Sequence, residues 1–261
     1  MTLRPHPFML LSTGHGTMIV NRNDYQMTAP DAGFGVGWQL MNTGWCEPEE
    51  TELLGQLLRL RRKHHGDGVV AVDCGANIGT VTVSMATACY GWGRVLAFEA
   101  QERVYYALAG NVALNNCLNV QAIHAAVGAE DGTLQIPVLD VTRPASFGSL
   151  ELRQREQTED IGQVVSYDRT QAVRLVRLDG LGLDRLDLLK VDVEGMEFDV
   201  LAGGERVIRD RQPIMLIEHI KVDSGRLIEM LQGWGYEVLP AGINVIAIHT
   251  TDPCLADVRK T

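Results

Sequence analysis

Two acidic residues end consecutive apolar runs in the first half of the chain. Asp73 follows the run at residues 69–72, and Glu99 follows the run at 95–98, 26 residues further on. Such runs are typical of strands buried on both faces, and the separation leaves room for one crossover helix. A carboxylate at such a strand end can accept hydrogen bonds from both hydroxyls of a ribose. We therefore expect Glu99 to hold a ribose and Asp73 to face the ammonium of an amino-acid moiety.

A glycine turn joins the first of these runs to a helical pattern over residues 78–88. Gly75 and Gly79 bracket the turn, which lets backbone N–H groups and the helix dipole approach a ligand. A nicotinamide site would place its acidic residue about twenty residues after GxGxxG, and a P-loop needs Gly-Lys-Ser/Thr. Neither pattern is present. The expected ligand therefore has the ribose of an adenosine at Glu99 and an amino-acid moiety at Asp73. Adenosine joined to an amino acid describes S-adenosylmethionine. Ala125 and Ala126 are small residues where its adenine ring would lie. The predicted cofactor contacts are Asp73, Gly75, Ala76, Asn77, Gly79, Thr80, Glu99, Ala100, Ala125 and Ala126.

A second group of polar residues ends two later apolar runs, at residues 186–193 and 214–217. Lys190, Asp192 and Glu194 alternate at the first, and Glu218 and His219 follow the second. Ligands of doubly wound sheets bind beyond the carboxyl ends of the strands, so these five are the candidate catalytic residues. An alcohol acceptor needs a base during methyl transfer, and Asp192, Glu218 or His219 could serve. The alternative is an ion-pair network that anchors the next helix.

Two other histidines are weaker candidates. His15 lies in a glycine-rich loop pattern, and His124 lies in the strand pattern at residues 120–127. Either could act in acid–base chemistry, but a loop residue and a strand residue are the simpler interpretations.

Three motifs identify a family. The stretches VDCGANIGTVTV (residues 72–83), FEAQERVYYALAGNVALNN (98–116) and LLKVDVEGMEFDVLAGGERVI (188–208) resemble the FkbM family of S-adenosylmethionine-dependent methyltransferases. The resemblance spans roughly residues 47–250. It implies an α/β, Rossmann-like class I methyltransferase fold, with a doubly wound, mostly parallel sheet and an antiparallel closing strand. It also implies O-methylation of a hydroxyl on a sugar or natural product.

The residues by themselves are also compatible with other functions. An N-methyltransferase acting on an amine or peptide would need only a desolvated neutral nitrogen. A nicotinamide oxidoreductase would share the opening fold, although the position of Asp73 argues against it. A non-catalytic cofactor-binding protein would keep Asp73 and Glu99 but could lose the acids of the later strands, which are present here.

The sequence predicts catalysis without a metal ion. Asp192, Glu194 and Glu218 could in principle offer oxygen ligands to a divalent cation. Lys190 lies two residues before Asp192 and could neutralise the same cluster, and the family pattern KVDVEG does not imply an ion. The five cysteines include no CxxC pair, so neither a zinc site nor a disulfide framework is expected. Because the cysteines are expected to stay reduced, we expect a cytoplasmic location.

The amino-acid composition limits the classes of partner that we expect this protein to bind. With 23 basic and 33 acidic residues, the net charge is −10, which argues against sequence-independent nucleic-acid binding. No apolar stretch reaches the length of a membrane span. The expected partner is a small-molecule acceptor, with no nucleic acid and no membrane, and homo-oligomerisation is left open.

The chain divides into two parts by pattern. Residues 1–46 show little periodicity and form either an irregular segment packed on the domain or a cover over the active site, with Phe34, Trp38 and Trp45 shaping the acceptor pocket. Residues 47–261 form the methyltransferase domain. Within it, residues 133–176 are loop-rich, with strand-like pieces at 164–165 and 173–176, and could border the acceptor site.

Overall fold

A seven-stranded sheet with helices on both faces forms the centre of the molecule. The structure is a computed structural model that describes residues 4–155 and 158–259. Parts of the two predicted units, residues 1–3 of the first and 156–157 and 260–261 of the second, lie outside the described residues.

The described strands are β1 (Phe8–Thr13), β2 (Gly16–Asn21), β3 (Gln26–Ala29), β4 (Ala32–Phe34), β5 (Val69–Cys74), β6 (Gly93–Glu99), β7 (Val120–His124), β8 (Ala126–Val127), β9 (Gly132–Pro137), β10 (Thr170–Val176), β11 (Leu188–Val191), β12 (Ile214–Glu218), β13 (Tyr236–Ala241) and β14 (Asn244–His249). The described helices are α1 (Val36–Thr43), α2 (Pro48–His65), α3 (Thr80–Ala88), α4 (Glu102–Leu114), α5 (Glu197–Gly203), α6 (Glu205–Arg211), α7 (Ser224–Gly233) and α8 (Cys254–Val258). A short 3₁₀ helix covers Leu178–Leu181. Within these described ranges, no helix combines the length and apolar character needed to span a bilayer.

The central sheet has the strand order β13-β14-β12-β11-β5-β6-β7. Its strands are parallel except β14, which runs antiparallel to both neighbours. The chain moves outward from β5 to β7 and returns to β11 on the other side of β5, so the carboxyl ends of β5 and β11 flank the topological switch point. The predicted Rossmann-like class I methyltransferase fold with an antiparallel closing strand is confirmed.

Alternating side chains of the central strands fill two separate cores. In β5, Val69 and Ala71 join one core, while Val70 and Val72 join the other. The first core also contains apolar residues of α2, α3 and the N-terminal strands, and the second contains those of α5, α6 and α7. Both faces are therefore covered, which explains why all six residues of β5 are buried.

Most predicted elements are confirmed, with local differences that have physical reasons. The helical region after β11 is divided at Gly204 into α5 and α6, where glycine lowers helix propensity. The third strand, predicted as continuous over 120–127, is instead divided between β7 and β8. At the division, the Ala125 N–H donates to the Glu99 carbonyl (3.1 Å), and β8 then pairs with β10 in a small sheet of order β8-β10-β9.

The N-terminal segment is more regular than its sequence indicates. It forms two hairpins, β1–β2 and β3–β4, followed by α1. Asn111 of α4 and Asn115, which follows that helix, hold β2 through its backbone, and the Asn111 Nδ2 also donates to the Ile78 carbonyl (2.8 Å). Met18 and Val20 lie in the same core as α2 and α3. The expectation of an irregular segment is therefore wrong, because tertiary contacts order it.

The loop-rich prediction for residues 133–176 is partly confirmed. The strand-like piece at 173–176 lies within β10, but Val164 is 97% exposed and lies in no strand. Between β9 and β10 the described residues form loops, tied to the N-terminal segment by a backbone bridge between Asp24 and Ala145. Asn21 and Asn23 both donate to the Val141 carbonyl across the same junction.

Candidate active site

The glycine turn after β5 touches the end of β11 directly. Gly75 has a φ of +84°, and a Cβ built on it would lie 1.7 Å from the Asp192 carbonyl oxygen. The Asp192 N–H donates to the Cys74 carbonyl (3.0 Å). Only glycine permits this approach, which joins the predicted cofactor turn to the predicted reaction centre.

Glu99 is held at the end of β6 by backbone donors. Its Oε2 accepts from the Asn77 N–H (3.0 Å) and its Oε1 from the Gln101 N–H (2.7 Å). Burial raises the pKa of Glu99 to about 7, against the opposing effect of these donors. Each carboxylate oxygen has a further lone pair, so the group retains capacity for two hydroxyl donors.

A cavity of about 330 Å³ lies over the carboxyl ends of β5, β6, β11 and β12. Eight of the ten predicted cofactor residues line it: Gly75, Ala76, Asn77, Thr80, Glu99, Ala100, Ala125 and Ala126. Four of the five predicted catalytic residues line it as well: Lys190, Asp192, Glu194 and Glu218. The structure therefore brings the two predicted groups into one cavity.

Lys190 is a buried ammonium group at the floor of the charged cluster, with 4% of its side chain exposed. Its Nζ lies 2.9 Å from Asp192 Oδ2 and 3.9 Å from Glu50 Oε1. Burial by itself would lower the pKa of Lys190, but Asp192 and Glu50 raise it above its ordinary value. A buried charge must be paired, so Lys190 and Asp192 stabilise each other's charged forms.

Three carboxyl groups meet beside this ion pair. Oxygens of Asp192, Glu194 and Glu218 lie within 4.8 Å of one another. Burial would raise the pKa of Asp192, but Lys190 and a hydrogen bond with Glu218 hold it below its ordinary value. The pKa of Glu218 is raised to about 10 and that of Glu194 to about 8. In both cases burial is the largest cause, and the negative charge of Asp192 is the second. At neutral pH the cluster thus contains an ionised Asp192 that accepts a hydrogen bond from a protonated Glu218.

Lys221 is a site residue that the sequence analysis missed. Its Nζ lies 2.9 Å from Glu159 Oε2 and 3.1 Å from the Ser149 carbonyl, and it contacts the Glu194 carboxylate. It lies three residues after Glu218, so the rule that polar residues gather beyond strand ends could have found it. Glu159 and Ser149 come from the irregular segment after β9 and carried no such signal.

Glu47 and Glu50 were also missed as site residues. Glu47 lines the cavity, and Glu50 reaches Lys190 from the first turn of α2. Burial raises the pKa of Glu50 to about 7, with Lys190 opposing that rise. An acidic first turn of a helix is explained by the macrodipole alone, so the sequence offered no sign that this helix begins at the cavity.

Two predicted cofactor residues do not line the cavity. Asp73 is fully buried, and its Oδ2 accepts from Thr82 Oγ1 (2.6 Å). Its Oδ1 has no hydrogen-bond partner, and burial raises the pKa of Asp73 against the opposing effect of Lys190. Gly79 caps α3 and faces Leu108. A direct contact between Asp73 and an ammonium group stays a prediction.

His219 lies outside the cavity lining as well. Its Nδ1 is 2.8 Å from Ser224 Oγ, so the ring links the end of β12 to the start of α7. The structure therefore does not support His219 as a base. His15 bridges Ser84 and the Cys46 N–H, and His124 bonds the Ala100 carbonyl, so both have structural partners.

The remaining walls come from the N-terminal segment and the loops after β9. Phe34, Val36 and Gln39 line one side, and Ser146 and Leu152 line another. Trp38 and Trp45, predicted to shape this pocket, are not among its lining residues.

One buried carboxylate, Asp24, joins these two walls. Its Oδ2 accepts from the Gly37 N–H (3.2 Å) and its Oδ1 from the Phe147 N–H (3.1 Å). The Phe147 carbonyl in turn accepts from Gln101 Nε2 (2.7 Å). A continuous set of hydrogen bonds therefore connects the N-terminal segment to Glu99.

The cavity fits an adenosine that carries an amino-acid moiety. Glu99 presents acceptor capacity for ribose hydroxyls, and Ala100, Ala125 and Ala126 leave space between apolar walls. The turn over residues 75–77 supplies backbone groups at the neighbouring edge. The residues present are thus compatible with S-adenosylmethionine.

Comparison with known proteins gives the family. The model of the FkbM methyltransferase domain matches residues 73–238, which is more than half of the chain. The chain belongs to the FkbM family of S-adenosylmethionine-dependent methyltransferases, so the resemblance found in its motifs is confirmed.

Curated relatives are methyltransferases too. Methyltransferase 1 of Beauveria bassiana is 33% identical over 147 residues, which cover 52% of this chain and 59% of that protein. Methyltransferase sdnD of Sordaria araneosa is 35% identical over 157 residues, which cover 51% of this chain and 59% of that protein. The matches thus span 59% of the length of each relative. The crystal structure of an FkbM methyltransferase from Methylobacillus flagellatus aligns with a TM-score of 0.47 and 18% identity, covering 70% of this chain and 44% of that chain.

Proposed function

We propose that this chain methylates a hydroxyl group on a sugar or natural-product acceptor, with Asp192 as the base. The observation that carries the proposal is the single cavity in which Glu99 and the Asp192 cluster lie on opposite sides of the turn at Gly75. Methyl transfer requires the donor and acceptor to be aligned in one water-poor space. S-adenosylmethionine, when bound, supplies a methyl group on a sulfonium.

Glu99 would hold the ribose and fix the position of the cofactor. Its two backbone donors keep the carboxylate in one orientation, so its free lone pairs point in a defined direction. Ala100, Ala125 and Ala126 would flank the adenine. The turn at residues 75–77, which lines the cavity, would border the rest of the cofactor.

Asp192 would accept the proton of the acceptor hydroxyl. Lys190 keeps this carboxylate ionised at neutral pH, which a base requires. An alcohol is protonated at this pH but becomes more acidic as its oxygen forms a bond to carbon, so a weak carboxylate base can remove the proton during attack. Glu218, which is protonated at neutral pH, would orient Asp192 by donating a hydrogen bond to its carboxylate.

We also propose that the N-terminal segment is a wall of the acceptor site. Phe34, Val36 and Gln39 line the cavity and would exclude water from the acceptor side. The segment also contributes Met18 and Leu40 to the main core. It is therefore an integral part of the domain rather than a separable cover.

The test is a screen of sugars, polyketides, peptides and amines with S-adenosylmethionine labelled in its methyl group. We expect the label on an oxygen of a sugar or natural product, located by mass spectrometry and NMR of the product. Label on nitrogen would replace the proposal with N-methylation. Failure to bind S-adenosylhomocysteine in calorimetry would contradict the cofactor assignment itself.

A further inference from the structure

The ionisable residues that line the cavity are unequally divided between acids and bases. Among the described lining residues there is no arginine or histidine, and two lysines face six carboxylic acids. The lysines are Lys190 and Lys221, and the acids are Glu47, Glu99, Glu159, Asp192, Glu194 and Glu218. Whether the lysines are free to bind an anion therefore decides what the site accepts.

Lys190 is surrounded by acidic groups, which makes its surroundings unfavourable for an incoming anion. It is almost fully buried and pairs with Asp192 and Glu50, while Asp73 and Glu47 add to the negative field around it. An anion placed beside it would also lie beside these carboxylates.

Lys221 is engaged by a different set of partners. An ammonium group has three N–H donors. The Nζ of Lys221 has three partners from the protein: Glu159 Oε2, the Glu194 carboxylate and the Ser149 carbonyl. Only 10% of its side chain is exposed, so a new ligand would have to displace one of these groups.

Two arginines that lie close to the site in the sequence, Arg153 and Arg155, do not change this balance. Arg155 packs against Gly195 and pairs with Glu151, and Arg153 pairs with Asp199. Neither lines the cavity. No unpaired cation is therefore available to the acceptor among the residues of the described lining.

The mouth of the cavity is apolar instead of charged. Ile220 and Ile243 both line it, yet they are 57% and 52% exposed. The two residues lie on adjacent loops, because the His219 N–H donates to the Ile243 carbonyl (3.1 Å). Exposed isoleucines at a mouth offer contact area to an uncharged ligand.

We propose that the acceptor site selects neutral or cationic acceptors and rejects those with a phosphate or carboxylate near the methylated hydroxyl. This inference rests on the proposed function. A like charge beside the paired carboxylates is repelled in a partly buried site, and specificity is often built in this negative way. Methylation would therefore follow the reaction that releases a sugar from its nucleotide, namely glycosyl transfer, or act on an acceptor that was never phosphorylated.

The first test compares matched acceptors from the screen. Methyl glycosides are paired with the corresponding sugar 1-phosphates and nucleotide-linked sugars, and kcat/KM is measured for each. We expect the neutral member to be used at least about 100-fold better, since like-charge juxtaposition is strongly unfavourable. Equal use, or a preference for the phosphorylated member, would overturn the inference while leaving methyl transfer itself intact.

The second test needs no known acceptor. Inorganic phosphate and glucose 1-phosphate are titrated by calorimetry into the protein, with and without S-adenosylhomocysteine. We expect no binding at millimolar concentration. Binding that Lys221→Gln abolishes would overturn the inference, whether or not the protein proves to be a methyltransferase of sugars.

A variant that removes the charge of Glu159 tests whether freeing Lys221 allows the protein to bind phosphate. Glu159→Gln removes one anionic partner of Lys221 and should create phosphate binding, or raise use of the phosphorylated acceptors several-fold. Glu205→Gln, an exposed carboxylate paired with Arg209 on α6, is the matched control and should change neither. A Glu159→Gln protein that still rejects phosphate to the wild-type extent would contradict the role given to Lys221.

Discussion

The cofactor end and the acceptor end of the cavity are built in different ways. At the cofactor end, the lining comes from three successive strand ends, at residues 75–80, 98–101 and 125–127. At the acceptor end it comes from segments near residues 35, 150, 192 and 220, which span most of the chain. The first end is assembled by local strand–turn–helix connections and the second by tertiary packing.

The ionisable groups at the two ends of the cavity also differ in how they are held. Glu99 is one carboxylate held by backbone N–H groups, so its properties depend mainly on its own burial. Asp192, Glu194 and Glu218 share protons and two lysines, so a change in one alters the others. Substitutions at the cofactor end should therefore act singly, whereas those at the acceptor end should be coupled.

The largest expected effect is the loss of turnover in Asp192→Asn. Asparagine keeps the shape of the side chain but cannot take a proton, so kcat should fall about 10²–10⁴-fold. Affinity for S-adenosylhomocysteine, measured by calorimetry, should stay close to that of the wild type.

A structural role for Asp192 predicts a different outcome. Normal turnover, or a protein that fails to fold because Lys190 has lost its partner, would make Asp192 an ion-pair residue only. Asp199→Asn on α5, which breaks the pair with Arg153, is the control for loss of a carboxylate near the site.

A smaller effect is expected at the cofactor end. Glu99→Ala removes a charge-assisted contact, which should weaken cofactor binding by about 1.5–3 kcal/mol, or roughly 10- to 150-fold in Kd. Calorimetry with S-adenosylhomocysteine measures this. Glu102→Gln, an acid three residues along the chain, should bind normally, and equal affinity for Glu99→Ala would remove Glu99 from the ribose site.

The affinity should also depend on pH through Glu99. Its pKa is raised to about 7 by burial, and the ionised form is the one that accepts from ribose hydroxyls. As pH falls through 7, the carboxylate gains a proton and binding should weaken, by up to about tenfold per pH unit. The isosteric Glu99→Gln should bind weakly with little pH dependence, and a wild-type Kd that is flat from pH 8 to pH 5.5 would contradict this.

Asp24, which connects the two walls of the acceptor site, should contribute to the free energy of unfolding. Asp24→Ala leaves the buried N–H groups of Gly37 and Phe147 without their acceptor, at a cost of about 1–3 kcal/mol for each. Urea denaturation should show this loss in the free energy of unfolding. If the variant remains as stable as the wild type, the two walls are not joined by this residue.

The pH dependence of stability separates the charge of Asp24 from its packing. Burial raises its folded pKa to about 6, so the folded state binds the proton more tightly than the unfolded state. The contribution of Asp24 to stability is therefore highest below its unfolded pKa of 3.8 and is lost as pH rises through 6. Asp24→Asn does not titrate, so its stability relative to the wild type should increase from pH 4 to pH 6.5.

The smallest expected effect is that of metal removal. Lys190 already neutralises the cluster that a cation would occupy, so activity after exhaustive chelation should equal that of untreated protein. Loss of activity that magnesium, calcium or manganese restores would instead make Asp192, Glu194 and Glu218 its ligands.

Prediction from the sequence succeeds where chemistry is local. The apolar run before Asp73, the glycines after it and the acidic residue at the next strand end all lie within the 31 residues from 69 to 99, so the spacing alone implies strand, turn, helix and strand. The same reasoning located Lys190, Asp192 and Glu218, because a parallel sheet gathers its carboxyl ends at one edge.

The N-terminal segment was misjudged because its order comes from partners far away in the chain. Asn111 and Asn115 hold β2, and Asp24 bonds to Phe147, more than a hundred residues later. No periodicity within residues 1–46 reports such contacts.

The three motifs were therefore sufficient to identify the family and the fold that it implies, and residue type and spacing were sufficient to place the carboxylates at the strand ends. Only the tertiary structure decided that His219 turns to Ser224, that Asp73 is covered by Thr82, and that Lys221 forms ion pairs with two carboxyl groups. The physical reason is that a strand end specifies where a side chain starts. Its direction, burial and charge state depend on groups that other segments bring to it.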